Sequence, residues 1–443
     1  YQGRDIHALT ITDRKAGDPA SKPGFYIDGN IHSNEIQGTE MALYTAWYLC
    51  EMYDENRFIN ELLKDKTFYI LPTINPDARQ YFMDSPNTQS SPRSGLVPMD
   101  NDRDGQYDED GYDDLNNDGV ISTMRRKSPF GTYKTNPRDP RQMIRTEPGE
   151  KGEYEVLGQE GIDNDGDGLV NEDGPGGYDP NRDYGFNWEP SYIQSGAGKY
   201  PFSFPENQAV RDFGFSHRNI TGAQSFHNYG GLILRGPSMQ GGGAEIFSRA
   251  DDDVLNSIGK KGELIIPGYR FITLWKDMYT VYGGELDWWH GAIGSYVFSN
   301  ELWNETMMFN DTSSVDPYEF DRLLLFEDSF MPWQEVDHPD YGKVEVGGFN
   351  KNFGRTHPGF LLESDAHRNA AFCIYNAWVT PKLEVRDVKV TNLGGGLKEV
   401  SATVVNSQMM PTHSGNNLKY KIDHPDYVTL EGGSVIAGMI VTD

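Results

Sequence analysis

The chain has 443 residues, 37% of them hydrophobic, which is material for one large core and an appendage. A formal net charge of −28 excludes nucleic acid as a partner, because a polyanion would be repelled without any counterion-release gain. No apolar run approaches the roughly 18 residues that cross a bilayer, so no transmembrane segment is read.

Period-two apolar alternation predicts strands at 5–12 (DIHALTIT), 24–30 (GFYIDGN) and 66–75 (KTFYILPTIN), with a helix over 35–53 between the last two. From about residue 84 to 178 the pattern gives way to Asp, Asn, Gly and Pro, too long and too polar for an ordinary connection, and reads as an insertion. Regular structure resumes with a helix around 204–218, a strand over 220–235, a helix around 251–265 and an apolar strand over 295–303. A final helix, 363–379, stops at Thr380 and Pro381, where proline cannot continue it. Strand-like runs at 382–391, 397–406 and 427–442 suggest a β-sandwich-like appendage, short for that architecture. The expected fold is therefore α/β. A mixed twisted β-sheet flanked by helices occupies 1–381 and carries the acidic insertion, and a small all-β domain covers 382–443. Cys50 and Cys373 lie in apolar helical runs and read as buried free thiols or as one bridge between those helices.

The segment GNIHSNEIQG places His32 and Glu35 three apart after an apolar strand, where one turn can aim an imidazole nitrogen and a carboxylate at a single point. Taken alone, this spacing is a weak signal and better fits a surface histidine beside a helix-initiating glutamate. Among ten histidines the best third ligand is His227 in GAQSFHNYGG, which follows a buried strand and precedes a glycine turn. A His₂Glu set suits a catalytic zinc with a fourth position open to water or substrate. Glu301 stands inside the apolar run SYVFSNELW, where a carboxylate is costly to bury without a partner or a task.

In order along the chain, GRDIHALTIT, IHSNEIQG, PTINPDA, DPNRDYGFNW, PFSFPENQAV, SFHNYGG, YTVYGGELDWW and YVFSNELW resemble the zinc metallocarboxypeptidase family that includes carboxypeptidase A. The resemblance implies that His32, Glu35 and His227 hold Zn²⁺, and that Glu301 takes a proton from zinc-bound water and later delivers one to the leaving amine. It implies that Arg182, with Asn181 beside it, clamps the substrate's terminal carboxylate, since a guanidinium fork matches that planar anion. Arg125 in STMRRKSP matches the arginine that steadies the oxyanion, with Arg126 as the alternative, and Tyr279 the mobile tyrosine that closes over the substrate. Asp179 matches an aspartate that orients the first zinc histidine, although an Asx turn explains it equally well. Leu286 sits where the family floors its specificity pocket, implying a preference for apolar C-terminal side chains. Glu285, its neighbour, would favour a basic one if turned inward. Two departures stand out: Asn34 where many members carry arginine, and Asp183 where they carry a second asparagine.

The runs DNDRDG and DNDGDG set alternate carboxylates around one centre, a pattern of hard oxygen donors that suits Ca²⁺. Asp100, Asp102, Asp104, Asp163, Asp165 and Asp167 are the candidate ligands, with Asp110, Asp118, Glu172 or Asp173 finishing the shells. Helical flanks are absent, so neither run is an EF-hand. Filling such sites fits an extracellular or periplasmic location. The substrate reading is peptide or protein C-termini. The competing readings are an amidohydrolase of the same fold acting on cell-wall peptides or acyl amino acids, and a non-catalytic calcium-dependent binding protein.

Overall fold

The computed structural model describes residues 1–241, 246–304, 316–423 and 425–440. A seven-stranded mixed sheet is built from β1 (Leu9–Ile11), β2 (Gly24–Gly29), β3 (Thr67–Leu71), β8 (Ile220–Asn228), β9 (Leu232–Arg235), β10 (Arg270–Thr273) and β11 (Tyr296–Leu302), in the order β1-β3-β2-β8-β11-β9-β10. Strands β3, β2, β8 and β11 run parallel, while β1 and the β9–β11 pairing are antiparallel. Because successive strand residues point to opposite faces, Phe25, Ile27, Phe68 and Ile70 enter one apolar cluster while Tyr26, Tyr69 and Leu71 enter another.

Helices cover both faces. The cluster around Phe25 is completed by α1 (Gln37–Glu51), α2 (Arg57–Asp65) and the long α6 (Gly359–Trp378), through Met41, Leu49, Leu62 and Ile374. The opposite cluster takes Val210 of α4 (Pro205–Ser216) and the indoles of Trp288 and Trp289. A third apolar group joins α5 (Arg249–Ile265) to β9, β11 and α6 through Leu255, Ile258, Ile233, Phe298 and Phe372. The remaining helix of more than two turns, α3 (Pro76–Asp84), begins with proline at its first turn, where the missing N–H costs nothing.

Several elements depart from the sequence reading. The insertion is not merely irregular: it contributes β4 (Thr123–Lys127), β5 (Tyr133–Thr135), β6 (Met143–Arg145) and β7 (Tyr154–Gln159). These join β12 (Phe330–His338) and β13 (Gly342–Phe349) in a second, six-stranded sheet of order β12-β13-β4-β7-β5-β6. The strand expected over 220–235 breaks at Tyr229–Gly231 into β8 and β9. In the appendage, β14 (Leu383–Gly394) and β15 (Leu397–Asn406) form a two-stranded antiparallel hairpin. The third run has no strand over 427–440, and its last residues lie outside those described, so the described residues contain no sandwich. Cys50 is exposed, Cys373 is buried, and both are free thiols.

Candidate active site

The site lies at the carboxyl ends of three adjacent parallel strands, β2, β8 and β11, the edge at which open α/β sheets hold ligands. Glycine makes the first corner possible. A Cβ on Gly29 would lie 2.4 Å from the Gly38 carbonyl carbon, and one on Gly38 would lie 2.9 Å from the Phe226 carbonyl oxygen, so α1 starts pressed against β2 and β8. The chain between them turns at Asn30, whose φ is +63°, and the Asn30 amide donates to the carbonyls of His32 (2.6 Å) and Ser33 (3.2 Å). This fixes the turn from which His32 and Glu35 project.

His32, Glu35 and His227 are 1%, 1% and 4% exposed, and their donor atoms converge. His32 Nδ1 lies 3.0 Å from Glu35 Oε2, His227 Nδ1 2.9 Å from the same oxygen, and the two Nδ1 atoms 3.1 Å from each other. Ligands about 2.0–2.1 Å from a tetrahedral zinc are about 3.3 Å apart, so the spacing fits one ion at their centre. The far nitrogens are occupied elsewhere. His32 Nε2 meets Asp179 Oδ1 at 2.9 Å, while His227 Nε2 lies 3.4 Å from both Asn181 Nδ2 and Ser225 Oγ. Those contacts leave both Nδ1 atoms facing the centre. Burial opposes ionisation of Glu35, but His32, Arg93 and His227 outweigh it and hold the carboxyl well below its ordinary range.

Asp179 makes both contacts the sequence allowed. Its Oδ1 meets His32 Nε2, and the same Oδ1 caps the turn Pro180–Arg182 by accepting from Asn181 N at 2.8 Å. Despite burial its carboxyl is held well below the usual range, His32 and Arg182 being the main counterweights. Asn181 Oδ1 accepts from Glu285 N at 2.8 Å, and Arg182 is 9% exposed with Nη1 donating to the Asn181 carbonyl. Tyr279 is 49% exposed, and its hydroxyl is among the groups acting on Arg93. Glu301 faces His227 across the β8–β11 register, and burial together with Glu35 pushes its carboxyl up to about 7.

Arg93 was not foreseen. Its loop is clipped to the metal turn by Ser33 Oγ donating to the Pro92 carbonyl and Ser33 N to the Arg93 carbonyl. The guanidinium lies 2.8 Å from Glu35 Oε1 and 3.5 Å from Asp179 Oδ2, and Glu301 adds to the field that keeps it protonated. Arg125 is not brought to this site. It lies on β4 in the second sheet, paired with Glu345 at 2.7 Å and sandwiched between the rings of Trp333 (3.7 Å) and Tyr154 (4.0 Å). Nor is Arg126, which pairs with Glu155. Both were assigned from a local match in a segment that folds as a strand away from the zinc turn.

Leu286 is 6% exposed and packs with Tyr26, Tyr184 and Trp288 in the core. Beside it Glu285 is turned inward, accepting from Ser225 Oγ and Trp289 Nε1, each at 3.1 Å. Its carboxyl is raised well above the usual range by burial and by the neighbouring Asp28, which itself accepts from the Tyr26 hydroxyl at 2.7 Å. Asp183 faces away, accepting from Ser203 and Phe204 N at the start of α4, and Asn34 ties to the Gln89 carbonyl.

Among the acidic runs, Asp102 and Asp104 of the first meet Asp165 of the second together with Glu109, and Asp163, Asp165 and Asp167 form a group of their own. Asp100 joins neither group among the described residues; its Oδ1 accepts from Arg103 N. Asp110 and Asp173 stitch the two runs together through Asn171 N and Asn101 N. Glu172 stands beside Asp110, which together with burial raises it to about 7.

A family model described as zinc carboxypeptidase (Peptidase_M14) matches residues 1–322, and one described as a domain of unknown function (DUF8731) matches 382–443. Carboxypeptidase D of Anas platyrhynchos is 29% identical over 98 residues, 22% of this chain and 7% of that protein. Carboxypeptidase Z of Homo sapiens is 36% identical over 78 residues, 17% of this chain and 12% of that protein. Inactive metallocarboxypeptidase ECM14 of Ajellomyces capsulatus (strain H143) is 36% identical over 81 residues, 18% and 14%. The chain thus aligns with only a small part of these relatives' length. Among solved structures, thrombin activatable fibrinolysis inhibitor has a TM-score of 0.47 at 16% identity, covering 85% of this chain and 66% of that one. The carboxypeptidase A from Helicoverpa armigera has a TM-score of 0.44 at 17% identity, covering 85% and 67%.

Proposed function

Because the chain belongs to the zinc carboxypeptidase family, we propose that it removes C-terminal residues from peptides by Glu301-assisted attack of water. The observation that carries this reading is the meeting of His32 Nδ1, Glu35 Oε2 and His227 Nδ1 within 3.1 Å of one another, with Glu301 on the adjoining strand. Zinc held by these three residues supplies a Lewis acid that polarises a carbonyl and makes water acidic near neutral pH.

The chain's own groups do the rest. Glu301, raised to about 7, takes a proton from the attacking water and hands one to the leaving nitrogen. Arg93 meets the charge that develops on the carbonyl oxygen, the role first assigned to Arg125. Arg182 and Asn181 bind the free α-carboxylate, and Tyr279 covers it. Side-chain preference is set by Glu285 and Asp28 rather than by Leu286. Two buried carboxyls are in contact, and His227 is the cationic side chain among the main groups of the described residues acting on Asp28, so a basic C-terminal side chain satisfies the pair better than an apolar one.

Bound calcium at the grouped acidic residues Asp102, Asp104, Glu109, Asp163, Asp165 and Asp167, and export to a calcium-rich compartment, complete the proposal. The test is Glu301→Gln. It keeps one zinc per chain and loses at least a thousandfold in turnover of C-terminal Lys or Arg peptides; full turnover in that variant ends the mechanism.

A further inference from the structure

The insertion holds a third acidic group, distinct from the exposed ones. Asp114 and Asp118, on the DLNNDG loop, bring carboxylate oxygens within 4.8 Å of one another and of a carboxylate oxygen of Glu160. Glu160 immediately follows β7 and is 0% exposed. Its backbone N donates to the Ser122 carbonyl at 2.9 Å, and its Oε1 accepts from Ser122 N at 2.7 Å, so the side chain is pinned at both ends of its reach. Among the described residues Oε2 has no hydrogen-bond partner, and it is fully buried.

A buried carboxylate oxygen with nothing to accept, beside two more carboxylates, is a poor arrangement for the protein alone. Taking such a group from water costs several kcal/mol unless a donor or cation meets it. Like charges crowd it further: burial first, then Asp118 and Asp114, push Glu160 up to about 7. Among the described residues, no lysine, arginine or histidine is among the largest influences on it. What is missing is positive charge of small size.

We propose that Asp114, Asp118 and Glu160 bind a divalent cation of the calcium type. The donors are all hard oxygens, with neither imidazole nor thiolate to recruit zinc or copper. Oxygens on opposite sides of a calcium ion, each about 2.3–2.6 Å from it, lie up to about 5 Å apart, so the observed spread fits inside one coordination shell. Asn116, whose Oδ1 already accepts from Asp118 N at 3.1 Å, stands on the same loop as a further oxygen donor. The ion ties that loop to the junction where Ser122 leads into β4 and Glu160 leaves β7. It thus fastens the insertion to the second sheet. It is independent of the group at Asp102, Asp104, Glu109 and Asp165, and either fills without the other.

The experiment uses the full chain, stripped with a chelator, resupplied with one equivalent of zinc and titrated with CaCl₂. Native mass spectrometry counts bound calcium, and thermal unfolding follows its effect. Glu160→Gln and the double variant Asp114→Asn/Asp118→Asn each bind one calcium fewer than wild type and lose part of the calcium-induced rise in Tm. Asp165→Asn leaves this site filled and alters only the two exposed groups that share Asp165. The double variant guards against a Glu160 substitution that fails to fold, since its two residues are half-buried and leave the Ser122 contacts intact. An unchanged calcium count in the double variant overturns the assignment, whatever happens to hydrolysis.

Discussion

Replacing Asp179 by alanine tests how the metal site is held together. The substitution removes the acceptor 2.9 Å from His32 Nε2, the cap 2.8 Å from Asn181 N, and a carboxylate 3.5 Å and 3.6 Å from Arg93 and Arg182. A carboxylate that orients a metal-bound imidazole contributes 10–100-fold in metal affinity, or about 1.4–2.7 kcal/mol. Asp179→Ala is therefore expected to weaken zinc binding by that factor. Asp179→Asn, which retains an oxygen for His32 but loses the charge, falls between. Because the same oxygen shapes the turn bearing Asn181 and Arg182, KM rises in the alanine variant as well as the zinc Kd. Competition with a chromophoric chelator gives the affinity, and initial rates at saturating zinc separate KM from kcat. A zinc Kd in Asp179→Ala equal to that of wild type refutes the orienting role.

Arg93→Met is expected to lower kcat by 10²–10³ with zinc retained, as loss of an oxyanion-stabilising cation does. Arg125→Met instead lowers Tm, by breaking the stack on Trp333 and Tyr154 that is worth up to about 2 kcal/mol, and leaves kcat/KM within twofold. Measuring both variants side by side decides between the two arginines. On substrates differing only in their last residue, Lys or Arg exceeds Phe by tenfold or more in kcat/KM, and Glu285→Ser erases the difference; a wild-type preference for Phe sinks the acid-pair reading. In calcium-free protein, Glu160 has a folded pKa of about 7, above its unfolded value of 4.5. The unfolded state therefore releases its proton first, and stability present below pH 4.5 is lost as pH rises through 7, by at most about 3 kcal/mol. Urea unfolding at pH 5 and pH 8 reads this slope; it flattens with calcium and in Glu160→Gln, and a slope unaffected by either contradicts the account.

The convergence of His32, Glu35 and His227 was readable because the pattern is written locally. His32 and Glu35 share one turn, and His227 and Glu301 lie near the ends of strands that are buried along most of their length. Arg93 was not, because only folding brings it there: it is the one arginine in the polar stretch 85–99 that opens the insertion, and the rest of the insertion separates that stretch from the DPNR motif. That isolation was the available signal. Arg125 misled for the opposite reason, since a basic pair after a small-residue run matches in sequence while its strand belongs to another sheet.

The second sheet escaped notice because the strands supplied by the insertion are short and polar, and their partners β12 and β13 lie far away in the chain. β12 also contains Pro332 and a register shift between Met331 and Gln334, which break period-two alternation. The seven-stranded sheet was legible for the converse reason. Its central strands β2 and β3 are buried along their whole length, and their apolar residues stand close together in the chain. The appendage shows where alternation alone fails. The apolar run at 427–440 alternates as a strand would, but its side chains remain exposed and unpaired with any strand among the described residues.

Anomalous scattering at the zinc edge, from crystals of the chain loaded with one equivalent of zinc, tests the central claim most directly. A single strong peak is predicted about 2 Å from His32 Nδ1, His227 Nδ1 and a Glu35 oxygen. A loaded crystal whose zinc peak lies away from all three would contradict it.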